Sequence, residues 1–273
     1  MILNQSGEAF RAPKFFNEQF IKKNGIKKIK GSYSLKKNGE RIRETPGSYS
    51  YSFDEQGRLF AILDLKWNGK KLDTLVHYYS YNQHGKLSRI KKSEYGGITE
   101  KEMRYDSLGR ITKIVNFRVT LDDNGNTINR TEINEETYSY NGIKKTTHNS
   151  YGLPYLISFD TFDEDGYLLS SKDKLKRSGT ESIKKYEYDE KGYLTGIYTF
   201  YDKNPDPVET TTFSYDPFGN ITERLQKKMK TLVNDLQIIY DTKTQLLYSI
   251  IRRNPSTNFM EIIRFTAYEY FDK

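Results

Sequence analysis

The chain has 273 residues, 35% of them hydrophobic, a mean hydropathy of -0.82 and no cysteine. That composition excludes disulfide scaffolds, zinc–thiolate sites and thiol catalysis, and no stretch approaches the about 18 consecutive apolar residues of a transmembrane helix. A formal charge of +8 (pI ≈ 9.2) raises the question of nucleic acid, but the basic doublets, such as Lys91-Lys92 and Lys184-Lys185, are dispersed among 36 acidic residues. Dispersed charge is the pattern of a solvated strand face, and no RNP-like, zinc-finger or helix-turn-helix signal accompanies it, so nucleic acid is not an expected partner.

In chain order, the opening Met-Ile-Leu-Asn-Gln-Ser-Gly-Glu does not read as a signal peptide. The expectation is that any native leader is absent from this chain, and that membrane association would need a lipid anchor it does not carry. Pro13 to Lys23 then predicts one short amphipathic helix, with Pro in the first turn, Phe16 and Phe20 four apart, Lys22 and Lys23 at the end and Gly25 just past it. Residues 1–30 are therefore expected to form a helical cap over the first edge of a sheet, because exposed strand edges need cover.

Residues 31–273 predict a single repeat domain. The motif aromatic-x-aromatic-Asp-x-x-Gly-x-Leu occurs as Tyr51-Ser-Phe53-Asp54-Glu-Gln-Gly57-Arg-Leu59, then around Tyr81 and Gly85, and around Tyr105, Asp106 and Gly109. It returns around Tyr188, Asp189 and Gly192, and around Tyr215, Asp216 and Gly219, with weaker copies at Tyr140, Phe162 (Gly166), Tyr240 and Tyr270. Subtracting successive positions of the second aromatic gives spacings of 28, 24, 35, 22, 26, 27, 25 and 30, which is a repeat architecture. The two aromatics share one face of a strand while the residue between them faces the other. The turn follows from chemistry: the Asp side chain bonds the backbone ahead of it and the Gly supplies positive φ, with Pro217 at the position that favours its fixed φ. An aliphatic at +6 (Leu59, Leu87, Ile111) and often another at +9 (Ile62, Ile90, Ile114) begin the returning strand. Each repeat is a β-hairpin, and Trp67-Asn68-Gly69-Lys70, Asp123-Asn124-Gly125-Asn126 and Asn204-Pro205-Asp206-Pro207 supply turns between repeats. The expected fold is all-β: about 18 strands of roughly 8 to 11 residues in one long antiparallel meander, coiled with its tyrosines inward.

Chemistry-bearing motifs are sparse. His77, His84 and His148 lie far apart and read as structural, and no Gly-x-Ser-x-Gly, His-Glu-x-x-His or phosphate loop is present. Asp163-Glu-Asp165-Gly166 and Asp122-Asp-Asn124-Gly125 coincide with repeat turns and lack the remaining ligand spacing of a calcium loop. No enzyme activity, metal or cofactor is expected. Trp67, the only tryptophan, sits at a hairpin tip, where an amphipathic ring could contact a sugar or a protein.

The repeated Tyr-x-Tyr-Asp-x-x-Gly-x-Leu unit, from about Tyr49 onward, resembles the YD repeat of RHS-type proteins, found in bacterial polymorphic toxins, Tc-toxin shells and teneurins. Ile239-Tyr-Asp241 to Tyr248 is similar to the Tyr-Asp-Pro-x-x-Gly segment of the RHS core, with Thr242 and Gln245 in place of its Pro and Gly; the RHS core protease and toxin domain are not in this chain. The resemblance implies a twisted, coiled RHS-like sheet, a spiral that can enclose a cargo. It also implies an envelope or surface protein of Bacteroidetes type, in the periplasm or on the cell surface. The resulting expectation is a non-enzymatic extracytoplasmic protein that binds a protein or glycan partner by its sheet surface. The alternatives are an RHS-derived shell or toxin-associated accessory of chaperone or immunity type, and a cell-surface glycan-binding protein.

Overall fold

The structure, a computed structural model, describes residues 16–94, 97–141, 143–201 and 204–272. A helix α1 (Glu18–Lys23) precedes β1 (Ile26–Lys36), β2 (Arg43–Phe53), β3 (Leu59–Trp67), β4 (Leu72–Tyr81), β5 (Leu87–Glu94) and β6 (Gly97–Tyr105). There follow β7 (Ile111–Leu121), β8 (Thr127–Asn141), β9 (Ile143–Ser150), β10 (Leu153–Phe162), β11 (Leu168–Leu175) and β12 (Glu181–Tyr188). The chain ends with β13 (Leu194–Tyr201), β14 (Glu209–Tyr215), β15 (Ile221–Lys228), β16 (Thr231–Tyr240), β17 (Leu247–Asn254) and β18 (Phe259–Tyr270).

The Asp-x-x-Gly hairpins close in one way. In the first, Asp54 Oδ1 accepts the N–H groups of Gln56 and Arg58, and the Gly57 N–H donates to the Asp54 carbonyl. The same bonds recur at Asp106, Asp122, Asp189 and Asp216. The ladder then slips by one residue just before the second aromatic: Ser52 faces Ala61 but Phe53 faces Leu59, Ser80 faces Arg89 but Tyr81 faces Leu87, and Ser214 faces Glu223 but Tyr215 faces Ile221. This β-bulge explains a spacing that regular alternation forbids. Positions +6 and +9 differ by three and would lie on opposite faces of a regular strand, but the extra residue restores them to one face. Hence Leu59 pairs with Phe53 and Ile62 with Tyr51, while the bulged Phe60 is half-exposed.

The coiled, RHS-like form of the meander is overturned. Strands pair antiparallel in chain order, but β1 is paired on both sides, with β2 through Gly31 and Tyr49 and with β18 through Tyr33 and Ile263. The fold is thus a closed 18-stranded β-barrel rather than an open, coiled RHS-like sheet. Closure satisfies the two rows of backbone N–H and C=O groups that a meander would leave bare. No first edge remains for a cap. The helix instead lies against the aromatic face of β2: Phe16 meets Tyr51 and Phe53 edge-to-face at 4.6 and 4.8 Å, and Ile21 is fully buried. Asn17 caps α1 through a bond from the Phe20 N–H, and the strand that follows begins at Ile26, inside the segment expected to be the cap. The expected helical residues Pro13 to Phe15 lie outside the described residues.

Packing divides the chain into two units, one of Met1–Thr74, Tyr186–Thr199 and Asp206–Lys273, the other of Leu75–Lys185 and Phe200–Pro205. The first holds most of the deeply buried apolar side chains, among them Phe53, Leu59, Leu247, Ile250 and Ile263. The second buries fewer, notably Tyr79, Ile90, Val115 and Val119.

Candidate functional site

Within the first unit, the aromatic face of β17, β18, β1, β2 and β3 carries a row of charge. Alternation places Tyr49, Tyr51 and Phe53 on this face of β2, and from Ile62 the same register runs on through Asp64 to Lys66 on β3. Arg252 pairs across the ladder with Glu261, and Tyr33 lies one pair further along the neighbouring strand, opposite Ile263. Gly47 makes room for the ring: a Cβ there would stand 3.0 Å from Tyr33 Cδ2 and 2.6 Å from the Leu65 carbonyl.

The polar atoms interlock. Tyr33 Oη donates to Asp64 Oδ1 at 2.7 Å. Arg252 Nη1 and Lys66 Nζ each take one oxygen of Glu261, at 2.7 and 3.2 Å, and Lys66 lies 5.5 Å from the centre of the Tyr33 ring. The Tyr49 and Tyr51 rings meet edge-on, with centres 4.9 Å apart. Burial lifts the Asp64 carboxyl above the usual carboxylate range; the Tyr33 hydroxyl and Lys66 pull it back and Glu261 pushes it further up. Burial also raises the phenols of Tyr33 and Tyr49 and takes Tyr51 to about 12. For Arg252, burial opposes the charged form, yet the attraction of Glu261 outweighs it and the guanidinium is held more firmly protonated.

Two carboxylates and two cations balance to zero in a setting where isolated charge is costly. Such a row offers fixed donors and acceptors beside aromatic rings, with Lys66 and Glu261 partly exposed. Among the described residues, no group of three or more His, Asp or Glu side chains is placed to hold a metal.

Trp67 ends β3 next to Lys66, 40% exposed, and alternation turns it to the opposite face, away from the charged row. The turn residues Asp54, Gly57, Gly85, Asp106, Gly109, Gly166, Asp189, Gly192, Asp216 and Gly219 stay in their turns, every one of these glycines with positive φ. His77 Nε2 lies 2.7 Å from Glu94, and His84 sits in a turn. The sequence reading missed Asp64, Lys66, Arg252 and Glu261. Continuing the period of two past Ile62 would have put Asp64 and Lys66 on the aromatic face, whereas nothing local pairs them with Glu261 and Arg252.

No protein-family model and no curated protein matches the chain. Solved structures with a similar fold include a porin-like protein from Bacteroides uniformis ATCC 8492, at 13% identity and TM-score 0.43, covering 89% of this chain and 98% of that one. A porin-like protein from Bacteroides vulgatus ATCC 8482 matches at 11% identity and TM-score 0.35, covering 88% and 97%. A crystal structure of TcdB2-TccC3-TEV matches at 12% identity and TM-score 0.32, over 80% of this chain and 15% of that one.

Proposed function

We propose that this chain is a non-enzymatic, extracytoplasmic β-barrel protein that binds a glycan on the aromatic face of its first unit. The observation that carries the reading is the partly buried, charge-balanced row of Asp64, Lys66, Arg252 and Glu261 beside Tyr33 and Tyr49. A polyhydroxylated, uncharged ligand can donate to the carboxylates and accept from the cations while its C–H face packs on the rings. An anionic or cationic ligand would meet a like charge in the same row. Both oxygens of Glu261 are held by cations, which suits an acceptor whose position does not change.

Glycan-array binding followed by calorimetry tests this. The protein should retain neutral glycans, and Arg252→Gln or Glu261→Gln should weaken that binding by about tenfold or more, the worth of one charged hydrogen bond. Folded variants that bind as well as the parent would overturn the site. Hydrolysis of the bound glycan, abolished by Asp64→Asn, would overturn the non-enzymatic reading, since paired carboxylates are also the equipment of glycosidases.

A further inference from the structure

The second unit carries its own polar group on its tyrosine-bearing face. In register across β8, β9 and β10, Glu136 faces His148, and Tyr138 and Ser158 both face Thr146. His148 Nε2 lies 3.0 Å from the Oγ of buried Ser158, and its Nδ1 lies 3.8 Å from Glu136 Oε1. Ser158 in turn faces Asp173 on β11. There the surface sinks into a depression of about 190 Å³ whose lining includes Leu156, Asp173, Leu175, Glu181, Ser182 and Tyr201.

The charges around it are committed, with one exception. Asp160 is paired with Lys144 at 2.7 Å and accepts from Ser171, and Glu181 is paired with Lys172 at 2.7 Å and Lys174 at 3.3 Å. Among the described residues, the Asp173 carboxylate has neither ion pair nor hydrogen bond. An uncommitted acceptor in a depression that two leucines help to line, beside a tyrosine ring 47% exposed and a serine hydroxyl, is the equipment for one sugar ring.

We propose that this depression is a second saccharide site, with Asp173 accepting from ring hydroxyls, Ser182 completing the polar rim and Tyr201 packing on the C–H face. Lys144, in register with Asp160 on the same face, disfavours an ammonium ligand, and Asp173 disfavours an anion. The Glu136, His148 and Ser158 chain supports the wall and performs no acyl transfer. The backbone around Ser158 is engaged in ladders with Thr146 and Asp173, which leaves no pair of free N–H groups to receive an oxyanion. The ligand class rests on the glycan reading of the first unit, but the residues are different ones.

Saturation-transfer NMR of the full chain with glucose, galactose, mannose and N-acetylglucosamine tests the site. Asp173→Asn and Tyr201→Ala should each lower affinity for the retained sugar by about tenfold, while His84→Gln, in an exposed turn outside both sites, leaves that affinity unchanged. Loss on Asp64→Asn alone would place all binding in the first unit and overturn the second site. Sugar binding untouched by either second-unit variant, in protein that melts like the parent, would overturn it too, as would displacement of the sugar by ethylammonium at lower concentration. If the second-unit variants lose binding and no first-unit variant does, this site stands and the first-unit reading fails.

Discussion

Gly57 shows how a turn rule acquires a tertiary cost. Its φ is +81, which any side chain resists, and a Cβ there would stand 2.1 Å from the Glu18 carbonyl oxygen of α1. Gly125 has nearly the same φ, +82, with nothing within 4 Å. Gly125→Ala should therefore cost about 1 kcal/mol and Gly57→Ala about 3 kcal/mol or more, read from urea melts. Equal losses would mean that α1 does not press on the turn. Gln245 takes φ +58 in the slot where the repeat calls for glycine, and its Oε1 accepts from Asn220 at 3.0 Å, which gives the strained residue a compensating contact. Asp64 has the opposite character to the turn aspartates. Its folded-state pKa is raised, chiefly by burial, so its charge opposes folding at neutral pH and the opposition fades as pH falls through that value. Asp64→Asn should melt no lower than the parent at pH 7 even as it weakens ligand binding; a markedly lower melting temperature would count against this. Backbone N–H groups hold the carboxyls of Asp106, Asp122 and Asp241 below the usual range. Their contribution is full above the unfolded value of about 3.9 and is lost as pH falls through the lower folded values, so the melting temperature should drop on acidification below about pH 4.

At the scale of the element, hairpins are stitched to one another by tyrosine. The hydroxyls of Tyr105, Tyr140, Tyr215, Tyr240 and Tyr268 donate to the carbonyls of Leu87, Ile111, Leu194, Ile221 and Leu247, each the first aliphatic of an earlier returning strand. This explains why tyrosine serves at a position whose burial phenylalanine would satisfy. Tyr215→Phe and Tyr240→Phe should each cost about 1 kcal/mol in chemical denaturation, the net value of one hydrogen bond; no loss in both would remove the stitch. The helix is held by a different force. Phe16→Ala should cost about 3 kcal/mol, because it removes a buried ring lodged between Tyr51 and Phe53. The hairpins were legible in the sequence, since an Asp-x-x-Gly turn between alternating strands involves only neighbours in the chain. The bulge was half-legible: the +6 and +9 aliphatics announced a break in alternation that only the ladder register located.

For the whole molecule, closure predicts that β1 and β18 have no fraying edge. In hydrogen exchange, the amides of Ile29, Tyr33 and Ile263 should be protected as well as those of β16 and β17, whereas an open meander would leave alternate amides of its first and last strands fast. Both faces of the strands carry charge. The aromatic face carries Asp64, Lys66, Arg252 and Glu261, and the other carries Arg89, Arg130 and Glu102 in ion pairs of 2.7 to 3.1 Å. By itself the sequence determined the strand-rich repeat, the approximate number of strands and the chemistry of the Asp-x-x-Gly turns, because alternation and turn bonds act over a few residues. Only the tertiary structure decided that the first strand meets the last and that Lys66 meets Glu261, a contact spanning 195 positions. Strand pairing and charge pairing at that separation depend on which edges and which faces the closed sheet brings together, and that is a property of the whole ladder rather than of any window of sequence.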